Sequence, residues 1–384
     1  MIYTIKRFTW PFICLLLVLL HLDVHAQVSL VQKAIDKLAG YKNFSYQSVY
    51  KQKEYTSDTL EIHHRDVFSK APEDKVFGYL FSMEQTIRGN KFPFTTIYNG
   101  QSLININPAD STYDIREIKA AAIQGSLPDY LKMIEALLKR RPSELVGDTI
   151  INTINCAHLV INGSDTVINK EHYYTRIHLY IDKLSGMPER VIAHARSSGI
   201  GDGVTNYYSE TRYFDYKFDQ DHIDLASMKI PEGFHLPKEG PTLLAPGGIA
   251  PGWVLYAADG RKMSSAQMKG KVMLLDFFFI GCAPCMLSLK PLNRLHEKYK
   301  NQNVAMVSLT ERDSRKSVLG FQRNYRIKYP MYVDAKEVVQ SYHVAAFPTF
   351  YFIGKDGKIA QVIEGYEEGF EEKATAIIND LLKK

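Results

Sequence analysis

Cysteine is scarce in this chain: four residues in 384, at positions 14, 156, 282 and 285. So sparse a supply excludes a small scaffold stapled by disulfides. No second cysteine pair and no His-x-x-x-His partner follows at a spacing that completes a four-ligand zinc set, so no metal is expected. His63-His64, His172 and His178 lie in strand-like segments and read as surface or cross-strand histidines. Charge of one sign is not in strong excess either: the net charge is +5 and the basic residues are scattered. The densest knot, Lys139-Arg140-Arg141, reads as a solvated helix end, so no nucleic-acid partner is expected. Apolar runs long enough to span a bilayer are missing, since residues 8–22 fall short of the roughly 20 needed.

That short run has the layout of an export signal. Lys6 and Arg7 supply a positive start, Trp10 to Leu20 an apolar centre, and Val24-His25-Ala26 small residues at the −3 and −1 positions. Residues 1–26 are therefore read as a signal peptide cleaved before Gln27, giving a periplasmic or otherwise exported protein, with an uncleaved anchor as the alternative. Cys14 leaves with the signal. Cys156, flanked by Ile154-Asn155 and Ala157, is expected to be a buried, inert thiol.

Hydrophobic residues make up 45% and charged residues 23% of the chain, which excludes disorder, and the length favours two domains. Residues 28–38 carry a helical spacing, and residues 43–107 turn to strand-like alternation, clearest in Phe44-Ser45-Tyr46-Gln47-Ser48-Val49-Tyr50. Residues 115–145 read as helical with a break near Gly125-Ser126-Leu127-Pro128, after which strands resume to Phe218. Asp182-Lys183-Leu184-Ser185-Gly186 is a hairpin-turn candidate. Prolines and glycines then concentrate between residues 238 and 251, read as a linker. Beyond it strands and helices alternate, which predicts an α/β sheet with helices on both faces across residues 252–384.

The segment with the most chemical content is Gly281-Cys282-Ala283-Pro284-Cys285, between an apolar strand (residues 272–280) and a helical stretch. Two cysteines separated by two residues at a helix N-terminus suit thiol–disulfide exchange. Unpaired backbone N–H groups and the positive dipole end favour a thiolate, and the thiolate is the attacking species. Asp276 lies six residues before Cys282 in the apolar strand. A buried carboxylate there has a raised pKa and could accept the proton of Cys285. The plainer reading is an Asp facing polar loop atoms.

Residues 250–384 resemble the TlpA/ResA-type exported branch of the thioredoxin superfamily, through Gly252-Trp253, Asp259-Gly260, Leu274-Leu275-Asp276-Phe277, Cys282-Ala283-Pro284-Cys285, Val344, Phe347-Pro348-Thr349 and Asp356-Gly357 in that order. The resemblance implies a thioredoxin-like fold and a redox-active disulfide with no other cofactor. It makes Cys282 the exposed nucleophile, Cys285 the resolving thiol and Pro348 a cis proline facing the pair. Phe347, Gly281, Ala283 and Pro284 would then contact the client. It also implies client proteins bearing disulfides, and a membrane thiol carrier as electron donor. Two departures stand out. Gly281 replaces the usual tryptophan, which should open the site, and Pro291 lies one position later than is usual. A peroxiredoxin is not indicated, because the Pro-x-x-x-Thr-x-x-Cys context is missing.

Residues 27–237 resemble, less specifically, the LolA-like family, through a leading helix, many antiparallel strands, a helical interruption, Tyr180-Ile181-Asp182 and Met187-Pro188. That resemblance implies an α+β domain with an open, curved antiparallel sheet over an apolar cavity, and hence an apolar ligand. The expected function is reduction of client disulfides by an exported oxidoreductase. The alternative is a carrier of apolar ligands or clients with an accessory redox module.

Overall fold

The computed structural model describes residues 27–53, 59–119, 123, 125–198, 204–220, 225, 229–237 and 242–384. The segment read as a signal lies outside them. Among the described residues, no helix is long and apolar enough to cross a membrane. The chain divides into two compact units, one built from most residues up to Pro237 and the other holding Lys238–Lys384.

The first unit opens with helix α1 (residues 27–40). Strands β1 (Asn43–Lys53), β2 (Thr59–Lys70), β3 (Tyr79–Ile87), β4 (Phe94–Tyr98), β5 (Leu103–Asn107) and β6 (Thr112–Arg116) follow. Helix α2 (Leu127–Leu138) separates them from β7 (Ser143–Ile151), β8 (Ile154–Ile168), β9 (Glu171–Asp182), β10 (Pro188–Ser198) and β11 (Val204–Phe218). Among the described residues these strands form one eleven-stranded sheet, ordered β6-β5-β4-β3-β2-β1-β11-β10-β9-β8-β7. The pairs from β2 to β6 and from β7 to β9 run antiparallel. Two up-and-down ribbons thus join where β1 meets β11.

One face of this sheet carries the core. Val31 and Leu38 of α1 and Leu127, Leu131 and Ile134 of α2 pack with Phe44, Phe68, Leu159 and Leu179 of the strands. The alternation in β1 puts Phe44, Tyr46 and Ser48 on the buried side, as the period of two requires. Phe44 and Phe68 stack at 5.0 Å, so much of this layer is aromatic. The Tyr46 hydroxyl accepts from the Leu127 amide at 2.8 Å and fastens the start of α2 to β1.

The helical reading of residues 115–145 is too long. Ile115 belongs to β6, the helix spans Leu127–Leu138, and Ser143 begins β7. Pro128 occupies the first turn, where its missing N–H costs nothing, so it opens the helix rather than breaking it. Pro142 disfavours a helical Arg141 and helps end it. The β9–β10 turn matches its sequence: Leu184 and Ser185 amides donate to the Asp182 carboxylate, and Gly186 N–H donates to the Asp182 carbonyl at 2.8 Å.

The second unit contains β12 (Val254–Ala257), β13 (Lys262–Ser264), β14 (Val272–Phe277), α3 (Ala283–Tyr299), β15 (Val304–Leu309) and α4 (Arg315–Asn324). It continues with β16 (Met331–Val333), α5 (Lys336–Ser341), β17 (Thr349–Ile353), β18 (Ile359–Glu364) and α6 (Phe370–Lys383). The sheet order is β13-β12-β16-β15-β14-β17-β18. Strands β14, β15 and β16 are parallel, and β17 runs antiparallel to β14. Every residue of β14 is buried because successive side chains enter two different apolar layers. Val272 and Leu274 join Leu289, Leu292 and Phe321 on the α3 side, while Met273, Leu275 and Phe277 join Val339 and Tyr342 on the other. A strand covered on both faces reads as a near-continuous apolar run, and residues 272–277 show one interrupted only by Asp276. Residues 242–251, read as part of a linker, are instead fastened to this unit. Gly247 N–H donates to the Ile359 carbonyl at 2.8 Å and Ala250 N–H to the Gly357 carbonyl at 3.0 Å. The β12–β13 hairpin was not resolved in the sequence.

Candidate functional site

Strand β14 ends at Phe277 and helix α3 begins at Ala283, so the connecting residues emerge at the end of the sheet and deliver Cys282 to the helix N-terminus. Cys282 is the N-cap residue, and its Sγ accepts from the Cys285 amide at 3.2 Å. Cys282 and Cys285 form a disulfide with Cα atoms 5.2 Å apart. The orphan N–H groups of the first helical turn thus face sulfur, the arrangement that stabilises a thiolate once the bond is reduced. Pro284 sits in that first turn and Pro291 inside the helix, which continues to Tyr299 across it.

The preceding loop is held from the loop that follows β15. Asp313 Oδ2 accepts from the Ile280 amide at 3.0 Å and from the Thr310 hydroxyl at 2.6 Å. Burial of Asp313 pushes its pKa upward, and these hydrogen bonds partly oppose that. The opposite side of the disulfide is formed by the segment before β17. The Phe347–Pro348 peptide bond is cis, and the Phe347 carbonyl oxygen lies 3.7 Å from Cys282 Sγ. The Phe279 and Phe347 rings meet edge to face at 5.4 Å.

The structure brings together Cys282, Cys285, Phe347 and Pro348. Gly281, Ala283 and Pro284 are exposed around the sulfurs. One expectation is corrected: Cys282 is not exposed, retaining 6% of its accessible surface. Its sulfur is turned inward to bond Cys285 and to lie against the Phe347 carbonyl. Gly281 does not open the site in the expected way, because Phe279 and Phe347 pack against the cluster that includes both cysteines. Gly281 adopts φ 92°, a backbone conformation unfavourable to any side chain, tryptophan included.

Asp276 is buried on β14, on the sheet face covered by α3. Its carboxylate accepts from the Ser308 hydroxyl, directly across the β14–β15 register. It therefore faces a strand hydroxyl and not the loop atoms of the plainer reading. Burial pushes its pKa up to about 7, with the Ser308 hydrogen bond opposing. Asp276 Oδ1 has no hydrogen-bond partner, and burial, reinforced by the Asp276 charge and opposed by the Ser308 hydroxyl, pushes the pKa of the nearby Tyr329 upward. A buried carboxyl poised near neutrality can exchange a proton within the working pH range.

Sequence reasoning missed Ser308, Tyr329, Asp313 and Phe279. Ser308 had a signal: a lone hydroxyl in the apolar run Val304–Leu309, level with the only charge in β14. Elsewhere, Cys156 is buried and free, and burial raises its thiol pKa to about 11. His158 and His178 join across β8 and β9 at 3.0 Å, and His172 contacts Asp165 at 2.6 Å, which are cross-strand partners. Among the described residues, no group of three or more His, Cys, Asp or Glu is placed to hold a metal.

A family model described as AhpC/TSA family matches residues 246–362. Thiol-disulfide oxidoreductase ResA of Bacillus cereus is 31% identical over 150 residues, covering 38% of this chain and 85% of that protein. ResA of Bacillus subtilis is 28% identical over 127 residues, covering 33% and 71%. Among solved structures, a thiol:disulfide interchange protein of the thioredoxin family from Chlorobium tepidum matches with a TM-score of 0.33 and 21% identity, over 36% of this chain and 98% of that one. With a thioredoxin-like domain that aligns along most of the ResA sequence, the chain belongs to the ResA/TlpA-type family of thiol-disulfide oxidoreductases.

Proposed function

We propose that the protein is exported and reduces disulfides in client proteins through Cys282 and Cys285. The observation that carries the reading is the disulfide at the N-terminus of α3, with Cys282 Sγ against the Phe347 carbonyl and an exposed rim of Gly281, Ala283 and Pro284. In the dithiol form the Cys282 thiolate attacks one sulfur of the client disulfide. A mixed disulfide forms and the other client sulfur leaves as a thiolate. Cys285 passes its proton to Asp276, then attacks Cys282 Sγ and releases the second client thiolate. The client gains two electrons, and the protein ends with the Cys282–Cys285 bond of the present structure. A thiol carrier in the membrane returns it to the dithiol.

Phe347 and Pro348 are assigned to client contact, supported by their position across the disulfide. Recruitment or shielding of clients falls to the N-terminal unit, which has its own core and lies outside residues 246–362, the span that the family model matches. A bound apolar ligand is the narrower version of that role.

The test is trapping. Cys285→Ser, expressed in the native compartment, should accumulate mixed disulfides on Cys282 that dithiothreitol releases. Recovery of none, with the variant folded and exported, would overturn the reading. If deletion of residues 27–236 left the set of trapped clients unchanged, the N-terminal unit would have no part in recruitment.

A further inference from the structure

The disulfide has a cationic neighbour that the exchange chemistry does not use. The Arg312 guanidinium packs against both rings beside the cysteines, 4.7 Å from the centroid of Phe279 and 5.0 Å from that of Phe347. Each ring belongs to a residue that touches Cys282 through its backbone: the Phe279 carbonyl accepts from the Cys282 amide at 3.3 Å, and the Phe347 carbonyl lies 3.7 Å from its sulfur. The backbone holds this position as well. Arg312 N–H donates to the Thr310 hydroxyl at 3.3 Å, and the adjacent Asp313 ties the same loop to Ile280.

Cation–π attraction to the two rings holds the guanidinium in place beside them. Just over half of the Arg312 side chain is exposed, at 54%. Its ion partner is Glu311, at 3.6 Å, longer than a hydrogen bond. The guanidinium is thus charged, loosely paired and held against the two residues whose carbonyls meet Cys282.

We infer that Arg312 determines specificity, favouring clients with an Asp or Glu beside the disulfide under attack. This rests on the proposed reduction of client disulfides. The client carboxylate displaces Glu311 from the guanidinium, and a client lysine there is repelled. For partly exposed charges several ångströms apart, the preference amounts to about threefold to tenfold in kcat/KM.

The experiment compares three synthetic peptides with one disulfide each, flanked by Glu, Gln or Lys, as substrates for the full chain and for Arg312→Gln. The expected result is a Glu-over-Lys preference in the parent chain that falls to within about twofold in the variant and narrows toward about 0.5 M salt. Glu311→Gln, which removes the competing carboxylate, should widen it. No preference in the parent chain, or one that survives Arg312→Gln, overturns the inference while leaving the redox reading intact. Failure of both proteins to reduce even the Gln-flanked peptide removes the redox reading itself.

Discussion

Replacing Asp276 by Asn should change how the stability of the C-terminal unit depends on pH. The Asp276 pKa is about 7 in the folded protein against an ordinary 3.8. Because the folded pKa is raised, the native state keeps a proton that the unfolded chain releases. The stabilising contribution is therefore full below the ordinary carboxylate range, lost as pH rises toward 7, and flat above it. A difference of about 3 in pKa corresponds to about 4 kcal/mol. Asparagine removes the ionisation while keeping an acceptor for the Ser308 hydroxyl. The advantage of Asp276→Asn over the parent should thus grow by about 3 kcal/mol between pH 4.5 and pH 8. Urea unfolding of the oxidised protein, followed by tryptophan fluorescence, measures this. Trp253 is the one tryptophan after Trp10 and is buried in the C-terminal unit. Curves that stay parallel across that range, within about 1 kcal/mol, would refute the raised pKa. Titrating groups elsewhere cancel because both proteins carry them.

The same substitution should slow reduction of a peptide disulfide at pH 7 by about tenfold to a hundredfold, with a smaller deficit at higher pH where hydroxide deprotonates Cys285; a deficit independent of pH would count against a proton role. Asp313→Ala leaves the Ile280 amide without its acceptor, and should cost about 1–3 kcal/mol in the C-terminal unit by urea unfolding; no loss would mean that the loop is held by other contacts. Gly281→Trp should destabilise the oxidised protein by about 1–2 kcal/mol, because residue 281 has a positive φ; a neutral or stabilising result would show that the turn can rearrange. Cys156 should resist iodoacetamide in the folded protein at pH 7.5 and react on unfolding, as a buried thiol with a pKa of about 11 requires; rapid native labelling would contradict its burial.

The C-terminal sheet was legible because its strands are buried on both faces and its punctuation is strong. The strands Val304–Leu309 and Thr349–Ile353 end where their apolar character ends. The Val254–Ala257 and Lys262–Ser264 hairpin escaped because its exposed residues, Val254 and Tyr256, are themselves strand-like apolar residues and mask the alternation. In the N-terminal unit the strands were visible and their order was not. The β1–β11 pairing joins residues far apart in sequence, and nothing local encodes it. The pair Cys282–Cys285 and its facing Pro348 were readable from spacing and resemblance. What remained hidden is side-chain direction: the inward turn of Cys282, the Ser308 hydroxyl on Asp276, and Arg312 across two rings. Each depends on which strands lie side by side.

The junction of β1 with β11 has a kinetic consequence. Each ribbon can zip up through local hairpins, but the sheet closes only when Val204–Phe218 returns to Asn43–Lys53, a contact of high sequence separation and large loop-closure entropy. Until then both strands are bare edges, open to pairing with other chains. On that account the slow step of folding in the N-terminal unit is the meeting of its two halves at the middle of the sheet, and a chain emerging N-terminus first waits for β11 before β1 is protected.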